Sequence, residues 1–151
     1  MKKSDKSIHN VTIAAIKRST MKPYDFKWTQ FYESNSDFYY KGLINFLKDE
    51  LIICSTIISS DNYSIVTTQR LLTCEKGIEQ IANLTNAKNK SFGNFKGYEN
   101  ELITFGMVEL PEGNTFKYFI ETGKASMIMI HGVKTLIRIQ KYTIKNTEKL
   151  N

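Results

Sequence analysis

The spacing of hydrophobic positions changes along the chain, and the first segment follows helical spacing. In residues 6–22, apolar side chains recur at intervals of three or four residues, with some adjacent pairs. They are Ile8, Val11, Ala14, Ala15 and Ile16. Ser4, Asp5 or Ser7 is available as the N-cap, and Pro23 disfavours helical backbone at the residue before it. The pattern predicts a moderately amphipathic helix that ends before Pro23.

The next segment, 24–49, is dominated by aromatic residues. They are Tyr24, Phe26, Trp28, Phe31, Tyr32, Phe38, Tyr39, Tyr40 and Phe46. Ser36 or Asp37 could cap a second helix carrying Phe38, Leu43, Phe46 and Leu47. Because each ring buries a large apolar area, we interpret this group as packing between the N-terminal part and the rest of the fold rather than as a ligand cage.

From position 50 the spacing changes to runs of β-branched and aromatic residues bounded by turn residues. These runs predict antiparallel strands over 51–58, 63–73, 78–88, 101–110 and 115–121. Turns are predicted at 59–62 and at 111–114, where Pro111 and Gly113 supply turn geometry. The stretch 89–100 contains Gly93 and Gly97 without a clean period, and we predict a loop there.

A C-terminal amphipathic helix is predicted to begin near Thr122 or Gly123 and to end near Gln140. One broad face is apolar and carries Ala125, Ile128, Met129, Gly132, Val133, Leu136, Ile137 and Ile139. The opposite face is basic and carries Lys124, His131, Lys134 and Arg138. The residues after Tyr142 are polar, and we predict that they fray. The predicted organisation is therefore a helical N-terminal extension (1–49), a β-rich domain with its helix (50–141) and a polar tail (142–151).

Size and charge narrow the class of protein only modestly. The chain of 151 residues, with a net charge of +6, has the length and composition of one globular domain. The charge favours anionic surfaces, but the Lys residues are spread along the whole chain, so a solvated surface is the simpler interpretation. The segment 8–16 is too polar for a signal peptide, and the stretch 51–58 is far shorter than the ~20 residues that span a bilayer.

The two cysteines, Cys54 and Cys74, are predicted to be free thiols. If 59–62 forms the turn, Ile58 lies opposite Tyr63 and Cys54 lies opposite Thr67, away from Cys74. Two partly buried free thiols fit a reducing cytoplasm, which is the expected location. No His or Cys spacing around them is typical of a metal site.

The order of several antiparallel strands followed by one amphipathic helix resembles the plan of a pleckstrin-homology-like domain, whose helix plugs the open end of a bent sheet. Residues 63–73 also resemble a strand of bacterial pleckstrin-homology-like proteins, in which a hydrophobic pair precedes a Thr-x-x-Arg-Leu sequence. The short run Ile78-Glu79-Gln80-Ile81 and the later turn with Gly113 fit the same order. The resemblance covers about 90 residues, 50–140, and implies an α+β, mainly antiparallel barrel capped by the C-terminal helix.

No pattern of residues predicts catalysis or a cofactor. The two histidines, His9 and His131, lie on different predicted helices without ligand spacing, and no phosphate loop, nucleophile elbow or metalloprotease motif is present. The carboxylates are scattered, whereas acid and base catalysis needs two of them facing one pocket. The sequence therefore predicts a protein that is not an enzyme and that binds no cofactor or metal.

The remaining candidates are binding surfaces. The turn 59–62, where the resemblance would place basic lipid-binding residues, has no basic residue, which disfavours phosphoinositide recognition. Arg70 is expected within a strand, where its guanidinium can bond a carbonyl or carboxylate, so a structural role is favoured over a ligand role. The face formed by Lys124, His131, Lys134 and Arg138 could meet an acidic partner, or be only a solvated helix face.

The leading hypothesis is a module that binds a protein or peptide partner, because an exposed sheet edge can accept a strand. Peripheral association with an anionic membrane through the basic helix face is an alternative. A small immunity or accessory protein that neutralises a toxin is another, and it rests on size and the lack of catalytic motifs. Nucleic acid is disfavoured because no aromatic and basic strand motif is present, and self-association through a sheet edge stays open.

Overall fold

The chain folds into two antiparallel sheets and two α-helices, seen in a computed structural model that describes the backbone of residues 3–150 and the side chains of 3–40 and 42–141. The first helix, α1, spans Asp5–Ser19. Ser4 is its N-cap, because the Ser4 hydroxyl accepts a hydrogen bond of 3.1 Å from the Ser7 N–H. Thr20 already has extended backbone, so α1 ends a little before the predicted Lys22.

The larger sheet is a meander of five strands in sequence order. They are β1 (Thr29–Phe31), β2 (Ile52–Ser59), β3 (Asn62–Thr67), β4 (Leu71–Glu75) and β5 (Ile78–Ala82). Strand β1 pairs with β2 and adds residues from the N-terminal third to the sheet. The sequence analysis missed β1, because a strand of three residues carries too few positions for alternation to show.

The smaller sheet has three strands and leads directly into the second helix. Its strands are β6 (Lys88–Ser91), β7 (Ile103–Glu109) and β8 (Thr115–Glu121), in that order. One 3-10 turn, Gly123–Ala125, joins β8 to α2, which spans Ser126–Leu150. The hairpin between β7 and β8 is where the sequence predicts it, with Gly113 at a positive φ of 94°.

The larger sheet carries a hydrophobic core on each of its two faces. One core joins α1, α2 and both sheets, with Ile16, Ile53, Tyr118 and Ile128 fully buried. The other core lies under the aromatic segment, where Tyr32 and Phe38 pack on strand residues such as Ile65. The predicted packing role of the aromatic segment is thus confirmed for these two rings. The fold is α+β with open sheets, and the two sheets do not close into a barrel.

The predicted strand 63–73 is in fact two strands separated by a tight turn. The Thr67 hydroxyl accepts hydrogen bonds of 3.1 Å from the N–H groups of both Gln69 and Arg70, and the Thr67 N–H donates to the Arg70 carbonyl at 2.9 Å. A Thr side chain bonded to its own backbone in this way favours a turn over a continued strand. The Thr-x-x-Arg-Leu sequence therefore spans a turn, and the prediction that Arg70 lies within a strand is wrong.

The predicted strand 78–88 and loop 89–100 also divide differently. Strand β5 ends at Ala82, because the Asn83 side chain accepts a hydrogen bond of 2.8 Å from the Thr85 N–H and Asn86 has a positive φ of 62°. The chain then enters the other sheet as β6, whose residues occupy the end of the predicted strand and the start of the predicted loop.

The second predicted helix does not form. Residues 35–47 contain only two single 3-10 turns, Asn35–Asp37 and Lys41–Leu43. Phe38 and Ile44 have extended backbone between and after them, and both side chains are buried against the sheet. Burial of these side chains against the sheet outweighs the weak helix propensity of an aromatic-rich segment. Tyr39 and Tyr40 point outward and are exposed.

The register of the first long hairpin differs by one residue from the prediction. The turn lies at 59–62 as predicted, but a bulge near Ile58 places Ile57 opposite Tyr63 and Cys54 opposite Val66. Cys54 and Cys74 are both free and buried, and they belong to the cores on opposite faces of the larger sheet.

Helix α2 extends to Leu150, ten residues beyond the predicted end near Gln140. Residues 141–150 contain neither Gly nor Pro, so no residue there interrupts the helical backbone. The residues after Tyr142, which the sequence analysis places in a polar, fraying tail, are helical in backbone as far as Leu150. Their side chains and Asn151 lie outside the described part of the chain, and the fraying stays a prediction. The eight residues predicted on the inner face of the C-terminal helix are all buried, so this part of the prediction is confirmed.

Candidate functional site

The four sheet edges among the described strands differ in how open they are to a partner. The outer side of β8 is covered, because the Phe119 N–H donates to the Ser64 hydroxyl at 2.8 Å. Strand β6 carries Lys88 and a bulge at Lys90, which are features that discourage pairing, and β1 has only three residues. Strand β5 has five residues, an unbroken register with β4, and neither Lys nor Pro.

The outer edge of β5 is exposed, and two of its four exposed residues are large and apolar. Ile78 and Ile81 are 68% and 52% exposed, in a strand where a β-branched residue normally packs against neighbours. The intervening Glu79 and Gln80 are exposed as well. A regular strand edge that exposes two large apolar side chains is an arrangement that natural sheets usually avoid unless another chain pairs with it, and Glu79 is the one charged residue on this edge.

The turn before β5 determines which backbone groups face outward. Lys76 and Gly77 both have positive φ, so β4 and β5 are joined by a two-residue type I′ turn with Glu75 opposite Ile78. The two residues that flank such a turn form a hydrogen-bonded pair. Because hydrogen-bonded and non-hydrogen-bonded pairs alternate along an antiparallel ladder, Glu79 and Ile81 direct their N–H and C=O groups away from β4. These four groups are the ones that a further strand would bond.

A cavity of about 300 Å³ adjoins β5 on the face that carries Glu79. Its walls come from the 42–45 segment on one side and from Tyr63, Arg70, Leu72 and Glu79 on the other. The Tyr63 hydroxyl donates to Glu79 Oε2 at 2.8 Å. Burial, together with the bond to Glu79, raises the pKa of Tyr63, so this hydroxyl keeps its proton and acts as the donor.

A second cavity, of about 200 Å³, adjoins β5 on its opposite face. It is lined by Thr73, Glu75, Ile78, Gln80 and Lys117. Lys117 Nζ lies 2.8 Å from Glu75 Oε1 and 4.6 Å from the centre of the Phe105 ring, so its charge is already satisfied. The β5 edge therefore has a cavity for side chains on each face of the sheet.

Arg70 reaches the first cavity from the β3–β4 turn and is anchored there by a buried carboxylate. Its Nε and Nη2 donate to the two oxygens of Glu50 at 2.8 and 3.1 Å, and Nη2 also donates to the Asn45 carbonyl at 2.9 Å. Burial alone would raise the pKa of Glu50, but hydrogen bonds from Arg70, Thr67 and the Leu47 N–H outweigh it and lower the pKa. Arg70 thus holds residues 45–50 against the sheet and forms part of the cavity wall.

The four predicted residues of the basic face lie away from the β5 edge. Lys124 is in the turn before α2, and Lys134 and Arg138 are exposed on the helix. Lys134 Nζ lies 5.8 Å from the centre of the Phe92 ring, which places this face of α2 beside the end of β6. His131 is half-buried, and burial together with the charge of Lys134 lowers its pKa.

His9 has a structural contact in the described fold. Its Nε2 lies 2.8 Å from the Tyr32 carbonyl oxygen in a buried position. Among the described residues, no group of three or more His, Cys, Asp or Glu side chains is arranged to hold a metal ion. No helix in the described part of the chain combines the length and the apolarity that crossing a membrane requires.

Sequence reasoning missed Glu50, Tyr63 and Glu79 as members of the candidate site. The sequence of β5 offered one usable signal for Glu79. In the run Ile78-Glu79-Gln80-Ile81, side chains alternate between the two faces of the sheet, so Glu79 shares a face with Ile81. No local pattern marks Tyr63 or Glu50, which reach the site through strand pairing and through the Arg70 side chain. No protein-family model matches this chain, and no curated protein or solved structure is significantly similar to it.

Proposed function

We propose that this protein is a non-enzymatic, pleckstrin-homology-like interaction module that binds an extended segment of a partner protein or peptide as an added strand on β5. The observation that carries the proposal is the regular, exposed edge of β5, which presents Ile78 and Ile81 and has a cavity on each face. In strand addition the main-chain bonds supply affinity and the side-chain pockets supply specificity. Both components are present at this edge.

The order of elements supports the pleckstrin-homology-like part of the proposal. Antiparallel strands in consecutive order are followed by one amphipathic helix, α2, whose inner face is buried between the sheets and α1. The helix packs closely on the larger sheet at Gly132, where a Cβ atom would lie 2.8 Å from the Cys54 sulfur. The α1 helix and strand β1 are additions to that plan.

The proposal is tested by selecting peptides from a displayed library of random octapeptides on the full-length protein. We expect enriched peptides to lose binding at least ten-fold on Ile81→Lys, because the substitution places a flexible charge on the edge. Leu102→Lys is the matched control, since Leu102 is similarly exposed but lies beside the other sheet. On binding, the amide protons of Glu79 and Ile81 are expected to exchange more slowly, whereas that of Gln80, which already bonds β4, changes less.

Several outcomes would overturn this function. One is a selection that enriches no peptide, and another is peptides that bind Ile81→Lys and Leu102→Lys equally. A third is a concentration-dependent dimer, detected by light scattering, that Ile81→Lys abolishes and Leu102→Lys does not. That result would assign the edge to a second copy of the chain.

A second candidate function, attachment to anionic membranes, is favoured by the basic face of α2. The sequence from 122 to 147 contains no Asp or Glu, and Lys134 and Arg138 are exposed there next to the cationic strand β6. Sedimentation with vesicles containing phosphatidylserine tests it at low and moderate salt. Loss of binding in Lys134→Ser/Arg138→Ser would support it. Lys6→Ser/Lys48→Ser is the control, because it removes two exposed cations that lie outside α2 and β6, and it should keep binding. No sedimentation at low salt would end this candidate.

A further inference from the structure

We infer that the strand added at the β5 edge runs antiparallel to β5 and carries Lys or Arg opposite Glu79 and an apolar residue opposite Ile81. This inference rests on the proposed strand-addition function and specifies the chemistry of the partner. The antiparallel direction follows the sheet itself, in which every described pair of strands is antiparallel. Read from its N-terminus, the partner segment has the pattern apolar, any residue, cation.

The geometry of the edge places the side chains of the partner. Residues directly opposite each other in an antiparallel pair lie on the same face of the sheet, with Cβ atoms about 5 Å apart. A partner residue opposite Glu79 therefore lies at the cavity formed by Tyr63, Leu72 and the 42–45 segment. The partner residue two positions earlier lies on the same face, opposite Ile81.

The charge of this cavity comes from Glu79. Arg70 is already paired with Glu50 through two hydrogen bonds, so these two charges compensate each other. Glu79 accepts a hydrogen bond from Tyr63, which is neutral, and no described Lys or Arg forms an ion pair with it. A cation from the partner would form an ion pair with the Glu79 carboxylate, whereas an acid opposite Glu79 would be repelled.

The apolar position follows from the exposure of Ile81. Its partner in β4 is Leu72, which is buried, so an apolar side chain opposite Ile81 would continue that contact across the new strand. The middle residue of the pattern lies opposite Gln80, on the face where Lys117 and Glu75 already neutralise each other. We therefore expect no preference for a charged residue at the middle position of the pattern.

The octapeptide library separates this inference from the function on which it rests. The wild-type protein is expected to enrich the pattern apolar, any residue, cation, with a preference for the cation of about two- to five-fold over a neutral residue. On Glu79→Gln the preference for a cation should vanish while the apolar preference stays, because a Gln carbonyl still accepts the Tyr63 hydrogen bond. Glu112→Gln, which changes the same charge at an exposed turn, is the matched control and should select as wild type does.

A charge reversal, Glu79→Lys, provides a second variant, and it is expected to favour Asp or Glu at the same position. Peptides that are enriched on the wild type without the cation, or with an equal cation preference on Glu79→Gln, would overturn the inference while strand addition stood. A library that yields no binding peptide on any of these proteins would overturn strand addition itself.

Discussion

The ion pair between Arg70 and Glu50 gives the most quantitative prediction about this fold. Glu50 is 2% exposed, and its carboxylate accepts hydrogen bonds from Thr67, from the Leu47 N–H and from Arg70. Replacing Arg70 with Met keeps an apolar stem of similar length and removes the only cation paired with this carboxylate among the described residues. Breaking a buried pair by removing one partner costs about 3–5 kcal/mol, because the remaining charge stays buried and uncompensated.

We expect Arg70→Met to fall near the lower end of that range, about 3 kcal/mol, since the bonds from Thr67 and Leu47 remain. This is a large fraction of the roughly 5–15 kcal/mol that stabilises a typical domain. Urea unfolding at pH 7, followed by far-ultraviolet circular dichroism and extrapolated linearly to water, measures the loss. Lys17→Met is the control, because the Lys17–Glu33 pair is 47% and 61% exposed and should contribute less than about 1 kcal/mol.

The double variant Arg70→Met/Glu50→Gln tests the cause of the loss. If the cost comes from an uncompensated buried charge, neutralising Glu50 should restore part of the stability lost in Arg70→Met. A loss in Arg70→Met no larger than that in Lys17→Met would refute the reasoning. A double variant whose loss equals the sum of the two single losses would also refute it.

Three further predictions follow from packing and burial. Gly106→Ala should destabilise the protein by about 1–3 kcal/mol, because a Cβ atom there would lie 2.2 Å from the buried Tyr118 ring. Gly42→Ala has open space around it and should change stability little in the same urea assay. Both cysteines should react with a thiol reagent at pH 8 only after unfolding, since both are buried and burial raises the pKa of Cys54; rapid reaction of the native protein would contradict this. Because the fold lowers the pKa of Glu50, its stabilising contribution is present above its ordinary pKa of 4.5 and is lost as the pH falls through the lower folded value. The free energy of unfolding should therefore fall less steeply with acid in Glu50→Gln than in the wild type, as measured by urea unfolding at a series of pH values.

The sequence predicted the elements whose pattern is local and long enough to be unambiguous. The hairpin of β7 and β8 follows from runs of β-branched and aromatic residues on either side of turn residues, and the buried face of α2 follows from helical spacing. These signals depend only on neighbours a few positions away. The same local reasoning failed at Thr67, where a side-chain hydrogen bond to the backbone ends a strand inside an unbroken apolar and polar run. It also failed at Phe38, whose burial against the sheet outweighs helix capping signals nearby.

By itself, the sequence determined the α+β fold class, a series of antiparallel strands and a C-terminal amphipathic helix, because each of these follows from patterns among near neighbours in the chain. Only the tertiary structure decided which edge of the sheets stays open and which charges meet. The pairing of Arg70 with Glu50 spans 20 positions, and Tyr63 meets Glu79 across 16. Contacts at such separations arise from strand order and register, and register is set by bulges and turns whose energies no local pattern of side chains reveals. The candidate site on β5 is therefore a property of the fold as a whole.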